Sequence, residues 1–170
     1  MNRRNLLLQL TGLTAVSALP GYLRAASNQV KATAPLIKSK ATWKAALPDA
    51  SYRVLFEEDT ERPFSSPLTH EKREGRYVCA ACNLPLFTSA HKFDSGTGWP
   101  SFWQADEGAI GTREDRSFFS LRTEYHCARC GGHHGHVFDD GPAPTGLRYC
   151  NNGVALRFVP GAEALPALVS

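Results

Sequence analysis

Five cysteines carry most of the chemistry that can be read from this chain. Cys79-x-x-Cys82 and Cys127-x-x-Cys130 are two pairs of identical spacing, separated by 44 residues. Two residues between thiolates let both sulfurs point at one ion. Four thiolates complete a tetrahedral zinc site, with Zn–S near ~2.3 Å and no open position for substrate, so such a zinc is structural. The same spacing serves two other chemistries. One is a disulfide framework, in keeping with an exported protein. The other is a redox-active Cys-x-x-Cys, although no βαβ pattern surrounds either pair. Two matched pairs, with the turn-formers Asn83 and Gly131-Gly132 behind them, favour zinc.

The fifth cysteine, Cys150, is left without an obvious partner. Around it lies a dense polar stretch, CGGHHGHVFDDGPAPTGLRYCNNGVALRF (130–158), holding His133, His134, His136, Asp140, Arg148 and Asn152. A second unusual string, KFDSGTGWPSFW (92–103), holds Trp99. Taken singly, these residues have plainer readings. Trp99 can be core, Arg148 a surface charge, and Asp140 a turn cap.

The elements that must position these groups are short. Thr42 is a candidate cap for a helix over residues 43–47, broken by Pro48. Residues 52–56 have strand-like content, and residues 57–75 read as irregular loop. Tyr77-Val78 leads into the first cysteine pair. Leu84 to Phe87 follows it, with Pro85 arguing against a central strand. The glycines and proline of DSGTGWPSF make a tight loop. Residues 117–125 alternate and read as a strand entering the second pair. Val137-Phe138, residues 147–150 and residues 154–159 are further strand candidates, the last two interrupted at Asn151-Asn152-Gly153. There is no long helical period and no repeat. The pattern predicts an all-β domain with a short N-terminal helical segment.

The N-terminus reads as a targeting segment. Arg3-Arg4 precedes a short, weakly apolar run rich in leucine, too short for the ~20 residues that span a bilayer. The pattern is that of a twin-arginine export signal over residues 1–26, with a polar linker over 27–40 and the domain over 41–165. An uncleaved amphipathic helix is the alternative. Export places the protein in the bacterial periplasm. Twin-arginine systems carry folded cargo, so the metal can load before the thiols meet oxidant. Three of the 19 basic residues, Arg3, Arg4 and Arg24, lie in that segment, leaving 16 against 16 acidic residues. No basic field argues for nucleic acid. Nor does the neutral remainder give reason to expect stable membrane insertion or more than a monomer. Met1 is the sole methionine.

Both strings, with TERPF (60–64) and the two cysteine pairs, resemble the methionine-R-sulfoxide reductases of the MsrB class, from about Trp43 to Phe158. The resemblance implies two antiparallel sheets in a tent-like arrangement, with zinc at one end. It implies thiol-dependent repair of oxidised methionine, chiefly in proteins, through a sulfenic acid on Cys150. Trp99 would form the apolar wall for the substrate methyl group. His133 and His136 would line the sulfoxide pocket, with Arg148, Asp140 and Asn152 around them and Phe138 and Phe102 as supporting walls. His134 departs from the family, which commonly has an apolar residue there, and is read as peripheral. Gly153 stands where the family often has serine.

Residue chemistry points the same way. A sulfoxide sulfur is electrophilic, but its oxygen leaves only with a proton. A free cysteine has a pKa of ~8.5 and needs help to ionise. Arg148 shares a strand face with Cys150 by period two and would favour the thiolate. Histidine can give the proton, His136 first and His133 less directly. Many family members close the cycle with a resolving cysteine in the SGxGWP loop, but here Thr97 occupies that place. With four cysteines on metal, the sulfenic acid would be reduced by an external thiol, from a thioredoxin-like partner or a small molecule. Two other functions use parts of this pattern. A zinc-knuckled binding module would not need the lone thiol beside Arg148. A cysteine hydrolase would use Cys150 and His136, but no oxyanion-hole or elbow motif is present.

Overall fold

Short apolar runs separated by Gly, Pro and Asn do form strands, nine of them among the described residues. The computed structural model describes residues 34–116 and 121–170. The expected signal segment, residues 27–33 of the linker and residues 117–120 of one expected strand lie outside the described residues. The strands are β1 (Gly75–Cys79), β2 (Pro85–Thr88), β3 (Lys92–Phe93), β4 (Ser101–Phe102), β5 (Ile110–Asp115), β6 (Arg122–Cys127), β7 (His133–Phe138), β8 (Arg148–Asn151) and β9 (Leu156–Pro160). They build two antiparallel sheets: three strands in the order β2-β1-β9, and six in the order β3-β4-β8-β7-β6-β5. Pro85 opens β2 at a sheet edge, where its missing N–H costs no ladder bond.

Aromatic residues facing inward from both sheets make the core. Tyr77 and Phe87 of the small sheet meet Phe102 of the large one, with ring centroids 4.8 and 4.4 Å apart. Tyr125 and Tyr149 cross edge to face at 5.6 Å. Phe102 is therefore a buried core ring, and not the pocket wall expected of it.

Two helices precede the strands, and both differ from expectation. Helix α1 (Lys40–Ala46) is capped by Ser39, not Thr42. The Thr42 N–H donates to Ser39 Oγ at 3.1 Å. It ends at Leu47 because the residue before a proline avoids helical backbone. Residues 52–56 belong to α2 (Asp49–Glu57) and not to a strand. Tyr52 and Val54 have strand propensity, but Ser51, Tyr52, Val54 and Leu55 are the buried set. That spacing is the stripe of a helix, and tertiary packing overrides propensity. Trp43 of α1 stacks on Phe56 of α2 at 5.2 Å. The loop from Glu58 onward includes one 3-10 turn, Pro67–Thr69. No helix among the described residues is long and apolar enough to cross a membrane.

Candidate active site and metal centre

Antiparallel register lines up one row of side chains across the large sheet. Arg113 opposes Glu124, Glu124 opposes His136, His136 opposes Cys150, and Cys150 opposes Ser101. Because side chains alternate, this row shares a face, while Tyr125 and Tyr149 turn into the core behind it. Cys150 thus sits mid-sheet, directly beside His136. Gly135 precedes His136 at φ +155°, and a Cβ there would meet the Cys150 carbonyl oxygen at 1.9 Å. The close approach of β7 to β8 at Cys150 requires glycine.

His133 and His136, three apart, would face opposite ways on a regular strand. A bulge changes this: between Tyr125 and His126 of β6 the register slips, and His134 is the extra residue of β7. His133 Nδ1 consequently lies 2.7 Å from Glu124 Oε1, on the same face as His136, with the two rings 5.5 Å apart. His134 turns the other way. It is fully buried, stacked against Tyr125 at 6.2 Å, and burial pushes its pKa down to about 3. It is a core residue, which corrects the peripheral reading.

A cleft of about 140 Å³ opens over Cys150, lined by Trp99, His136, Phe138, Asn152, Thr60 and Arg122 among others. Of the expected pocket residues, Cys150, His136, Trp99, Phe138 and Asn152 meet there. His133, Asp140 and Arg148 do not. His133 lines an adjoining polar pocket that shares Thr60, Arg122 and His136 with the cleft. Asp140 lies outside it and holds Arg148 through paired bonds of 2.7 and 2.8 Å. The Arg148 guanidinium lies 4.3 Å over the Phe138 ring.

The loop at residues 60–64 clamps the cleft from both sides. Trp99 Nε1–H donates to the Glu61 carbonyl at 3.1 Å, and Phe64 N–H donates to the Gly98 carbonyl at 2.7 Å. On the other side, Glu61 N–H donates to Asn152 Oδ1 at 3.0 Å, and the Glu61 carboxylate accepts the N–H groups of Gly153 and Val154. Asn152 Nδ2 in turn donates to the His134 carbonyl at 3.0 Å. Asn152 is therefore a brace as well as a lining residue.

Burial pushes the Cys150 thiol up. The Arg148 charge, a hydrogen bond with Thr97, and one with Arg148 pull it back without overcoming burial. Arg148 acts in the expected direction but does not decide the outcome. Thr97 bonds Ser95 at 2.8 Å, and Ser95 bonds Ser101 at 2.8 Å, so a hydroxyl chain backs the thiol. Burial also lowers His136, while its bond to Asp115 raises it.

The remaining four cysteines meet where the two sheets converge. β1 runs into Cys79 and β6 into Cys127, and each pair turns back through a residue of positive φ, Asn83 or Gly131. All four Sγ atoms lie within 4.8 Å of one another. Cys79 and Cys130 are 3.7 Å apart, Cys82 and Cys127 3.5 Å. Vertices of a tetrahedral thiolate site with bonds of ~2.3 Å are roughly 3.8 Å apart, so the four sulfurs fit one metal ion. The C-terminal tail covers this end: Val169 N–H donates to the Cys82 carbonyl and Asn83 Nδ2 to the Ala167 carbonyl. From the N-terminal side, Leu36 N–H donates to the Arg129 carbonyl.

Residues 47–160 match the SelR domain. The chain belongs to the SelR domain family. Its relatives carry the name peptide methionine sulfoxide reductase MsrB. One from Bradyrhizobium diazoefficiens is 53% identical over 126 residues, which is 74% of this chain and 91% of the relative. One from Methanosarcina barkeri is 52% identical over 122 residues, covering 71% and 86%. One from Agrobacterium fabrum is 49% identical over 130 residues, covering 75% and 96%. The SelR match spans both cysteine pairs, the cleft and the 60–64 loop. Sequence reasoning missed Glu61, Asp115, Arg122 and Glu124 as site residues. Glu61 lay within TERPF, and alternation on the strand into Cys127 puts Arg122 and Glu124 on one face. No sequence signal pointed to Asp115, whose place depends on the pairing of β5 with β6.

Proposed function

We propose that this protein reduces methionine-R-sulfoxide, chiefly in protein chains, to methionine, with Cys150 as nucleophile. One observation carries the reading: the cysteine that stands apart from the metal centre faces His136 in register, in a cleft walled by Trp99. The apolar indole face receives the S-methyl group. His136 gives a proton to the sulfoxide oxygen as the Cys150 sulfur bonds the substrate centre. Arg148, held by Asp140, favours the thiolate, and Phe138 and Asn152 shape the pocket. His133 supports His136 from the adjoining pocket.

In net terms, oxygen passes from the substrate sulfur to Cys150 Sγ. Two electrons pass the other way, and the thiol proton ends on the sulfenic oxygen. No second thiol lies outside the metal centre, so an external thiol reduces the sulfenic acid. A thioredoxin-like domain or a small thiol fits this role, releasing water and a disulfide. Zinc is the metal that best suits four thiolates. Bound there it cross-links the two sheets and offers no open position. Arg3-Arg4 and the short apolar run behind it support export by the twin-arginine route to the periplasm.

The test is reduction of separate R and S epimers of a dabsyl-labelled methionine sulfoxide with dithiothreitol, comparing wild type and Cys150→Ser. Turnover of the R epimer alone, abolished by the substitution, is expected. No turnover of either epimer by folded, zinc-loaded protein would overturn the reading.

A further inference from the structure

We infer that Asp115 is a positioning residue for proton delivery in this reaction, fixing the tautomer and charge of His136. The inference rests on the assignment of His136 as proton donor. His136 Nε2 lies 2.7 Å from Asp115 Oδ2. The same carboxylate oxygen lies 2.6 Å from Arg122 Nη2. An ion-paired carboxylate only accepts hydrogen bonds, so Nε2 must carry hydrogen. Nδ1 makes no hydrogen bond among the described residues, and it is the nitrogen left to take up and release a proton. Asp115 itself does not line the cleft over Cys150; it lines the adjoining pocket.

The electrostatic surroundings of His136 make this bond matter. Arg122 and Glu124 face it from β6, His133 from its own strand, and Cys150 from β8. Glu58 and Arg113 close the pocket and pair with each other, and Arg113 also pairs with Glu124. Glu124 is thus engaged by Arg113 and His133, which leaves Asp115 as the carboxylate bonded to His136. Burial, Arg122 and His133 oppose the imidazolium, and Asp115 supports it.

The reacting pair, thiolate with imidazolium, holds the same number of protons as thiol with imidazole. It is populated between the two macroscopic pKa values of the site, as one tautomer of that state. Its share is set by the gap between the two groups, tenfold for each pKa unit. A carboxylate on Nε2 narrows the gap. The expected signature of Asp115→Asn is therefore specific. The plateau of kcat/KM falls about tenfold, the acid limb moves to lower pH, the alkaline limb stays, and KM changes little. Asp115→Glu restores part of the plateau.

The experiment measures pH profiles for R-sulfoxide reduction by wild type, Asp115→Asn, Asp115→Glu and His136→Asn. It adds a 15N titration of the wild-type histidines, which stands even where a variant fails to fold. A wild-type Nε2–H tautomer for neutral His136, with the profile shifts above, supports the inference. An unshifted profile in Asp115→Asn, with His136→Asn inactive, overturns it and leaves the proposed reaction standing. Freely exchanging His136 tautomers in wild type also overturn it. Wild-type turnover by His136→Asn removes His136 as donor, and this inference falls with it.

Discussion

Arg148 and Asp140 form a two-pronged ion pair in which the cation is buried and the carboxylate is in solvent, with Arg148 only 8% exposed against 58% for Asp140. The guanidinium cannot swing away from Cys150 without losing both bonds and its seat on Phe138. Planar two-point pairing is the property that separates arginine from lysine here. Arg148→Met keeps much of the stem and removes the charge. Burial then acts on Cys150 with less opposition, and the thiol pKa rises further. Alkylation by iodoacetamide at pH 7 should slow by about tenfold for each unit of rise. An unchanged alkylation profile would show that Arg148 does not act on the thiol.

Thr97 stands beside Cys150 in the loop between Asp94 and Trp99 and helps to hold the thiol pKa down. A sulfur placed at that position comes within reach of Cys150. Thr97→Cys is expected to form an intramolecular disulfide after one turnover without added reductant, with loss of two hydrogens by mass spectrometry. Wild type should instead hold a sulfenic acid that dimedone traps. A Cys150 disulfide in the wild-type chain would contradict the external-thiol route.

The proposed zinc centre and the proposed catalytic thiol should be separable. Cys82→Ser should lower the midpoint of thermal unfolding by more than about 10 °C, because a structural zinc site contributes folding free energy outright. Cys150→Ser should keep one zinc per chain by elemental analysis while losing turnover. Loss of zinc from Cys150→Ser would mean that the fifth cysteine is a ligand, contrary to the geometry.

The two cysteine pairs and Cys150 were legible because their chemistry depends on residue type and local spacing. The strands around them were legible from alternation and from Gly and Pro punctuation. The helix at residues 49–57 was not. Tyr52 and Val54 favour strands locally, and only the packing of the Ser51–Leu55 face against the body of the protein decides the matter. The roles of neighbouring histidines were also illegible. A single extra residue at His134 decides which ring faces the site and which faces the core. That bulge is a property of the β6–β7 pair, and neither strand encodes it alone. Glu61 and Asp115 reach the site from 89 and 35 residues before Cys150 in sequence, through loop and ladder bonds that no local pattern records.

Gly153 offers no room for the serine common at this place in the family. A Cβ there would meet Ser66 Oγ at 1.9 Å and Ser66 Cβ at 2.5 Å. Ser66 itself caps the 3-10 turn at Pro67–Thr69, which limits how far it can withdraw. Gly153→Ser is expected to destabilise by roughly 1–3 kcal/mol through overpacking. Adding Ser66→Gly should recover most of that loss. Urea unfolding of the two single variants and the double variant gives the coupling directly, and strict additivity would show that the two sites do not compete for space.

His134 is a buried imidazole whose two nitrogens have no hydrogen-bond partner among the described residues. An unsatisfied buried polar group costs on the order of 1–3 kcal/mol, so His134→Leu, close in volume, should stabilise the fold by about that amount. The pH dependence supplies an independent check. With a folded pKa of about 3, His134 stays neutral in the native state while the unfolded chain takes up a proton near pH 6.5. Above that pH the two states bind protons equally at this site. As pH falls from 6.5 toward 3, the unfolded state binds more, and stability drops by about 1.4 kcal/mol per pH unit from this residue alone. Burial lowers His126 and His136 in the same direction, so acid sensitivity is shared. In His134→Leu the loss of stability between pH 6.5 and 4 should be shallower than in wild type. An equal slope, or a less stable variant at pH 7.5, would show that the imidazole is satisfied in the core and contributes to packing that leucine cannot replace.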